Sequence, residues 1–287
     1  MIGYQFLRLL SWLIYAMPLR VLYLWSDILF IIIFYLVRYR RDVVDNNLAN
    51  SFPEKTVNER KEIARKYFHH LCDCFLETLY FDRISNEKVK LRVKFLNAEI
   101  ANNYMDQGRQ VFVLMGHYNN WECFNNWGLH TNHKSYAIYK KLRNATFEKF
   151  YYHLRSRFGS FPLERALTFR QLMDDSKAGI PGLSLFLTDQ SPRRFDIQYW
   201  TRFLNQETAA IIGHEKIAVK LNAVVLFGKT KKIKRGFYEI EYVLITDDPR
   251  NCAKFEITEK ATRMLEKLIV ENPEFWLWSH RKWKYKQ

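Results

Sequence analysis

From residue 111 onward, apolar positions fall into short runs separated by stretches of helical periodicity. Val111-Phe112-Val113-Leu114-Met115 is unbroken and rich in β-branched and aromatic side chains, which predicts a buried strand. Runs at 136–139, 183–188 and 223–227 predict further strands, and strict alternation over 237–245 predicts an edge strand. Helical spacing covers 144–157, 169–176, 208–221 and 258–272. This alternation predicts an α/β fold: a single domain with a central mixed or largely parallel sheet flanked by helices. Ahead of it, 46–80 reads as helical with a break at Ser51-Phe52-Pro53, and Thr56-Val57-Asn58-Glu59 matches a capping box that starts the longer helix.

The first forty residues have another texture. Two apolar runs, 9–19 and 28–37, are interrupted by Pro18, Arg20 and Asp27. Neither uncharged run reaches the roughly 18 to 20 residues of a clean spanning helix. No small-residue cleavage site follows a basic start, which argues against a removable signal peptide. Trp12, Tyr15, Tyr23, Trp25 and Tyr35 make the segment aromatic, and Arg38, Arg40 and Arg41 close it. The expectation is a membrane-anchoring helical segment, 1–41, that lies in the interface or dips into it, followed by one catalytic domain, 42–287. The competing reading is a pair of ordinary buried helices.

Composition sharpens this picture. The 287 residues are 48% hydrophobic and 26% charged, enough for one sizeable core. Lys and Arg total 45 against 30 Asp and Glu, a formal charge of +15, so an acidic partner is expected: nucleic acid, anionic lipid, a phosphorylated substrate or an acidic carrier protein. Aromatic content of 16% suits contact with a membrane interface. No nucleic-acid-binding signature accompanies the charge, and the apolar amino end argues against that class. Cys72, Cys74, Cys123 and Cys252 form no CxxC, and the eight histidines show no HExxH spacing. Reduced thiols, no structural zinc and no cofactor are expected.

The candidate chemistry sits directly after the first of these strands, in Gly116-His117-Tyr118-Asn119-Asn120-Trp121-Glu122. Gly116 breaks the run, and Asn119 or Asn120 can cap a helix beginning near Trp121. On one continuous helix, positions five apart would diverge by roughly 140°. His117 and Glu122 can therefore meet only if His117 precedes the helix. In that arrangement the helix start favours neutral imidazole, and Glu122 would fix its tautomer. The bland alternative is a strand-end histidine beside a solvated glutamate.

Here the chain resembles the lysophospholipid acyltransferase-like family, in its lipid A secondary acyltransferase branch. The HX4D/E signature stands as His117 to Glu122. Four further blocks agree in order: Val44-Asp45-Asn46-Asn47-Leu48 with Ser51-Phe52-Pro53-Glu54; Tyr139-Lys140-Lys141-Leu142-Arg143-Asn144 with Arg155 to Gly159; Thr188-Asp189-Gln190-Ser191-Pro192; and Asn272-Pro273-Glu274 through Leu277-Trp278-Ser279-His280-Arg281-Lys282-Trp283. Lys140 and Lys141 stand where many members have Arg-Pro.

The resemblance implies a glycerolipid acyltransferase-like fold and transfer of a fatty acyl group from a thioester, on acyl carrier protein or coenzyme A, to a hydroxyl of a membrane lipid. A lipid A precursor is the expected acceptor, with another aminolipid or glycerolipid as the rival. The implied location is the cytoplasmic face of a bacterial inner membrane. A hydroxyl needs a base near neutral pH, and His117 is expected to serve, held by Glu122. The absence of a GxSxG elbow agrees with direct attack on the thioester. Arg155, Arg157, Asn120 or backbone amides at the helix start could supply oxyanion donors. Lys140, Asp189, Gln190 and Arg281 complete the expected substrate-binding set, with Arg193 and Arg194 as headgroup or carrier contacts. A solvated basic tail is the plainer reading of Arg281, Lys282, Lys284 and Lys286. His214 and His280 read as structural.

Overall fold

The computed structural model describes residues 2–285. Lys286, the last base of the expected tail, lies outside them.

Helices dominate the amino-terminal third. α1 (Ile2–Ala16) and α2 (Leu19–Ile31) are separated at Pro18, which lacks the amide needed to continue α1. α2 runs on through a π-helical turn (Ile32–Val37), and a left-handed Arg38 ends it. Leu19–Val37 is thus one continuous helix, long and apolar enough to cross a membrane by length and composition. α3 (Arg41–Ser51) and α4 (Val57–Phe81) follow. The capping box forms as the sequence predicts: Glu59 N–H donates to Thr56 Oγ1, and Thr56 N–H donates to Glu59 Oε2 at 2.7 Å. α4 is the central post, with α1, α2 and α3 packed around it.

The body alternates strands and helices: α5 (Asn86–Arg92), β1 (Val93–Phe95), α6 (Ala98–Asp106), β2 (Val111–Met115), a 3-10 helix (Trp121–Leu129), β3 (Lys134–Tyr139), α7 (Ala145–Ser156), β4 (Phe161–Glu164), α8 (Thr168–Lys177) and β5 (Gly182–Leu187). A hairpin, β6 (Trp200–Phe203) and β7 (Gln206–Ala209), precedes α9 (Gly213–Leu221), β8 (Val224–Lys234), β9 (Phe237–Thr246) and α10 (Glu256–Glu271). The seven-stranded sheet has the order β1-β9-β8-β2-β5-β3-β4. β8, β2, β5, β3 and β4 are parallel, so their carboxyl ends share one edge. β9 runs antiparallel to β8, which makes the sheet mixed. β2 is buried along its whole length at the centre, as its unbroken apolar run requires.

Two sequence expectations need correction. Residues 237–245 form no edge strand, because the three-residue β1 covers β9 in parallel register, Val93 opposite Tyr238. Their alternation records a sheet with one face packed and one partly open. The helix expected over 208–221 begins only at Gly213. Thr208 and Ala209 pair instead with Thr201 and Trp200, across a turn whose Leu204 and Asn205 take positive φ.

Candidate active site

His117 leaves β2 two residues past its last paired position. Met115 lies opposite Leu187 in the neighbouring β5, so the same offset sets His117 beside Asp189. Their side chains meet: His117 Nδ1 donates to Asp189 Oδ1 at 2.6 Å. Asp189 Oδ2 accepts the backbone N–H of His117 at 2.8 Å and the indole N–H of Trp276 at 2.8 Å. Gly116 permits this approach, since a Cβ there would stand 2.6 Å from a Leu265 methyl and 3.2 Å from Asp189 Oδ2.

The carboxylate is deeply buried, which by itself would raise its pKa. The charge on protonated His117, the hydrogen bonds from the ring and backbone of His117, and Lys282 outweigh that and hold Asp189 well below the usual carboxylate range. It is an anion throughout the physiological range. An anion accepting at Nδ1 fixes the proton there and leaves the lone pair on Nε2. Gln190 Nε2 donates to that lone pair at 3.2 Å. The ring packs edge-on against Trp121, with centroids 5.0 Å apart, and 12% of its side-chain surface remains accessible.

The turn is held from a distance. Residues 275–277 run alongside it: Asn119 N–H donates to Phe275 O at 2.8 Å and Leu277 N–H to His117 O at 3.1 Å. Asn119 itself is left-handed, a conformation that Asn tolerates better than most residues.

The expected contact between His117 and Glu122 does not form. Beyond the left-handed Asn119 the 3-10 helix turns Glu122 toward α7. There it accepts from Arg155 Nη2 at 2.6 Å and Nε at 3.2 Å, and from Asn125 Nδ2 at 2.8 Å. The place reserved for Glu122 belongs to Asp189. Arg155 also stacks on Tyr151, 5.1 Å from the ring centroid, and its Nη1 makes no hydrogen bond among the described residues.

The remaining candidates divide. Gln190 joins His117. Asn120 turns inward, donating from Nδ2 to buried Glu77 Oε2 at 2.9 Å, an oxygen that also accepts from Tyr238 OH at 2.7 Å. Tyr23 of α2 donates to the other Glu77 oxygen at 3.0 Å, so one carboxyl links the amino-terminal helices to the turn. Arg157 is not at the site: it donates to the carbonyls of Phe81 and Ile84, where α4 leaves acceptors unpaired. Lys140 is exposed in the loop after β3.

Arg281 faces solvent, whereas Lys282, read as part of a solvated tail, is buried. Burial lowers the Lys282 pKa to about 8, against the opposing pull of Asp189. His280 is pushed down to about 4, chiefly by burial, with Asp189 opposing and His117 adding repulsion. His214 is buried within reach of Thr258 Oγ1 at 3.4 Å, a structural setting. Sequence reasoning missed Trp276 and the inward turn of Lys282. The only signal for either was the tryptophan-rich carboxyl-terminal block. Behind Asp189 and Lys282 lies a cavity of about 20 Å³, room for one water molecule.

An imidazole nitrogen turned outward at the carboxyl edge of a parallel sheet, its tautomer set by a buried anion, is an arrangement suited to accepting a proton from a substrate. The chain belongs to the bacterial lipid A biosynthesis acyltransferase family, whose model matches residues 3–285, and it is an acyltransferase. A search of curated proteins finds no match to it.

Proposed function

We propose that this enzyme moves a fatty acyl group from an acyl thioester, on acyl carrier protein, to a hydroxyl of a lipid A precursor at the cytoplasmic face of the inner membrane, with residues 1–41 as the anchor of a catalytic domain formed by 42–287. The observation that carries the reading is the Asp189–His117 contact, which turns Nε2 away from the anion toward the Gln190 amide, in a chain of this family. An acceptor hydroxyl takes the place of the Gln190 amide at Nε2 and gives up its proton there. The freed oxygen attacks the thioester carbonyl carbon. The tetrahedral intermediate collapses to an ester, and the departing thiolate takes the proton back from the imidazolium. Asp189 stabilises that imidazolium without itself being protonated.

In this reading Glu122 contributes through Arg155, holding its guanidinium so that Nη1 can meet the oxyanion. The surplus of bases favours the acidic carrier protein over coenzyme A. The exposed aromatic and aliphatic face of α1 and α2, including Phe6, Leu9, Trp12, Leu24 and Trp25, supports membrane association.

The test is transfer from a labelled acyl thioester, offered on acyl carrier protein or coenzyme A, to a panel of purified lipid acceptors. Transfer to a lipid A precursor that disappears in His117→Ala supports the proposal. Transfer confined to a glycerolipid or aminolipid would replace the acceptor, and undiminished turnover in His117→Ala would remove the base. Mass spectrometry of lipid A from a strain lacking the gene gives an independent check: the acyl count should fall.

A further inference from the structure

Three loops rise from the same sheet edge as His117, because β3, β4 and β5 are parallel to β2. Each is basic and each exposes an apolar tip. The loop after β3 carries Lys140, Lys141 and Arg143 around Leu142. The turn after β4 and the first turn of α8 carry Arg165 and Arg170 around Leu167 and Phe169, both about half exposed. After β5, Arg193 and Arg194 precede Phe195, which is 98% exposed.

The exposed carboxylate among them is Asp196. No ion pair among the described residues uses any of these bases. A phenylalanine held wholly in water beside two unpaired arginines gains nothing for folding. An interface with anionic headgroups would accept both the ring and the charges.

The surface is also continuous with α1. α7 begins at Ala145, directly after the first loop, and receives the start of α1: Lys149 Nζ lies 4.6 Å from the centre of the Tyr4 ring, and Gly3 packs on Thr146. Phe147 on that turn is exposed beside the apolar face of α1.

We infer that the loops after β3, β4 and β5 form a second membrane-docking rim, in which Phe195 inserts among the acyl chains while Arg193, Arg194 and the neighbouring bases hold anionic phospholipid headgroups around the mouth of the site. The rim and the amino-terminal helices then grip one bilayer from two sides of His117. A lipid hydroxyl can reach Nε2 without leaving the interface.

The inference rests on the proposed acyl transfer only for its purpose, and its test uses no turnover. A nitroxide is attached at position 195 of the full chain through Phe195→Cys in a Cys252→Ser background; Cys72, Cys74 and Cys123 are buried. Its accessibility to oxygen and to a water-soluble nickel chelate is measured with vesicles of phosphatidylcholine alone and of phosphatidylcholine mixed with phosphatidylglycerol. The label should enter the lipid phase in the mixed vesicles. Adding Arg193→Glu and Arg194→Glu should lower the inserted fraction at least about tenfold, since each base near such a surface is worth about fivefold. A label that stays aqueous with both vesicles overturns the inference. So does insertion that ignores lipid charge and the two reversals. Shielding by acyl carrier protein without vesicles would mark a carrier-docking face instead and equally overturn it.

Discussion

Replacing Asp189 by Asn isolates the contact on which the proposed chemistry depends. Oδ2 accepts two N–H donors, from the His117 backbone and Trp276, both at 2.8 Å. These donors keep the amide oxygen of Asn in that position. The amide NH2 then occupies the place of Oδ1, 2.6 Å from Nδ1 in the native site. Facing a donor, Nδ1 must become the acceptor, and the ring proton moves to Nε2, where the base is needed. The geometry survives while the tautomer inverts.

The corresponding carboxylate-to-amide change in a Ser-His-Asp triad costs about 10⁴-fold. A loss of about 10³ to 10⁴ in kcat, or ~4 to 5.5 kcal/mol of barrier, is expected here with KM little changed. Steady-state acyl transfer reads both constants, and ¹⁵N shifts of His117 read the tautomer. The fold should lose about 1 to 3 kcal/mol at neutral pH, for one charged hydrogen bond weakened. Because the folded-state pKa of Asp189 is lowered, its contribution is present above the ordinary Asp value, so the stability gap between wild type and mutant should start to narrow below about pH 4 and close only as pH falls through the lowered folded-state value. Asp189→Asn turning over within tenfold of wild type, while Glu122→Gln does not, would refute the assignment and return the orienting role to Glu122.

Glu122→Ala removes one half of a buried pair and leaves Arg155 uncompensated; a loss of about 3 kcal/mol or more in denaturant unfolding is expected, with a fall in kcat. Lys282 has a folded pKa of about 8 against an ordinary value of 10.5, so the unfolded chain binds more protons between those values and wild-type stability should rise with pH across that window. Lys282→Met should flatten the rise, worth up to roughly 3 kcal/mol, as read by urea midpoints at stepped pH. Thr56→Ala breaks the capping box far from His117; thermal unfolding should show a loss of about 1 kcal/mol, and acyl transfer should be unchanged.

Much of the fold is legible in the sequence because it is local. Five consecutive apolar residues specify β2, Pro18 ends α1, and Thr56 with Glu59 starts α4; each signal concerns neighbours in the chain. The short strands β1 and β4 and the hairpin at 200–209 escape, since three or four residues carry too little period to stand out. Position relative to the strand is equally local: His117 falls in a turn after β2, and Asp189 and Gln190 fall after β5. Even the five-residue spacing of His117 and Glu122 announces that something is built there.

Which carboxylate meets the imidazole is decided only by tertiary structure. Asp189 is 72 residues from His117 in the chain. It arrives because β5 chooses β2 as a neighbour and pairs Leu187 with Met115, a matter of sheet order that no local pattern encodes. Trp276 and Lys282 come from farther still, drawn in when the carboxyl-terminal segment pairs with the turn. The sequence alone determines a histidine at a strand end and an apolar amino terminus. The sheet's register selects the anion that meets the imidazole, because a side chain's direction follows from its own backbone, whereas its partner depends on strands brought together across the whole chain.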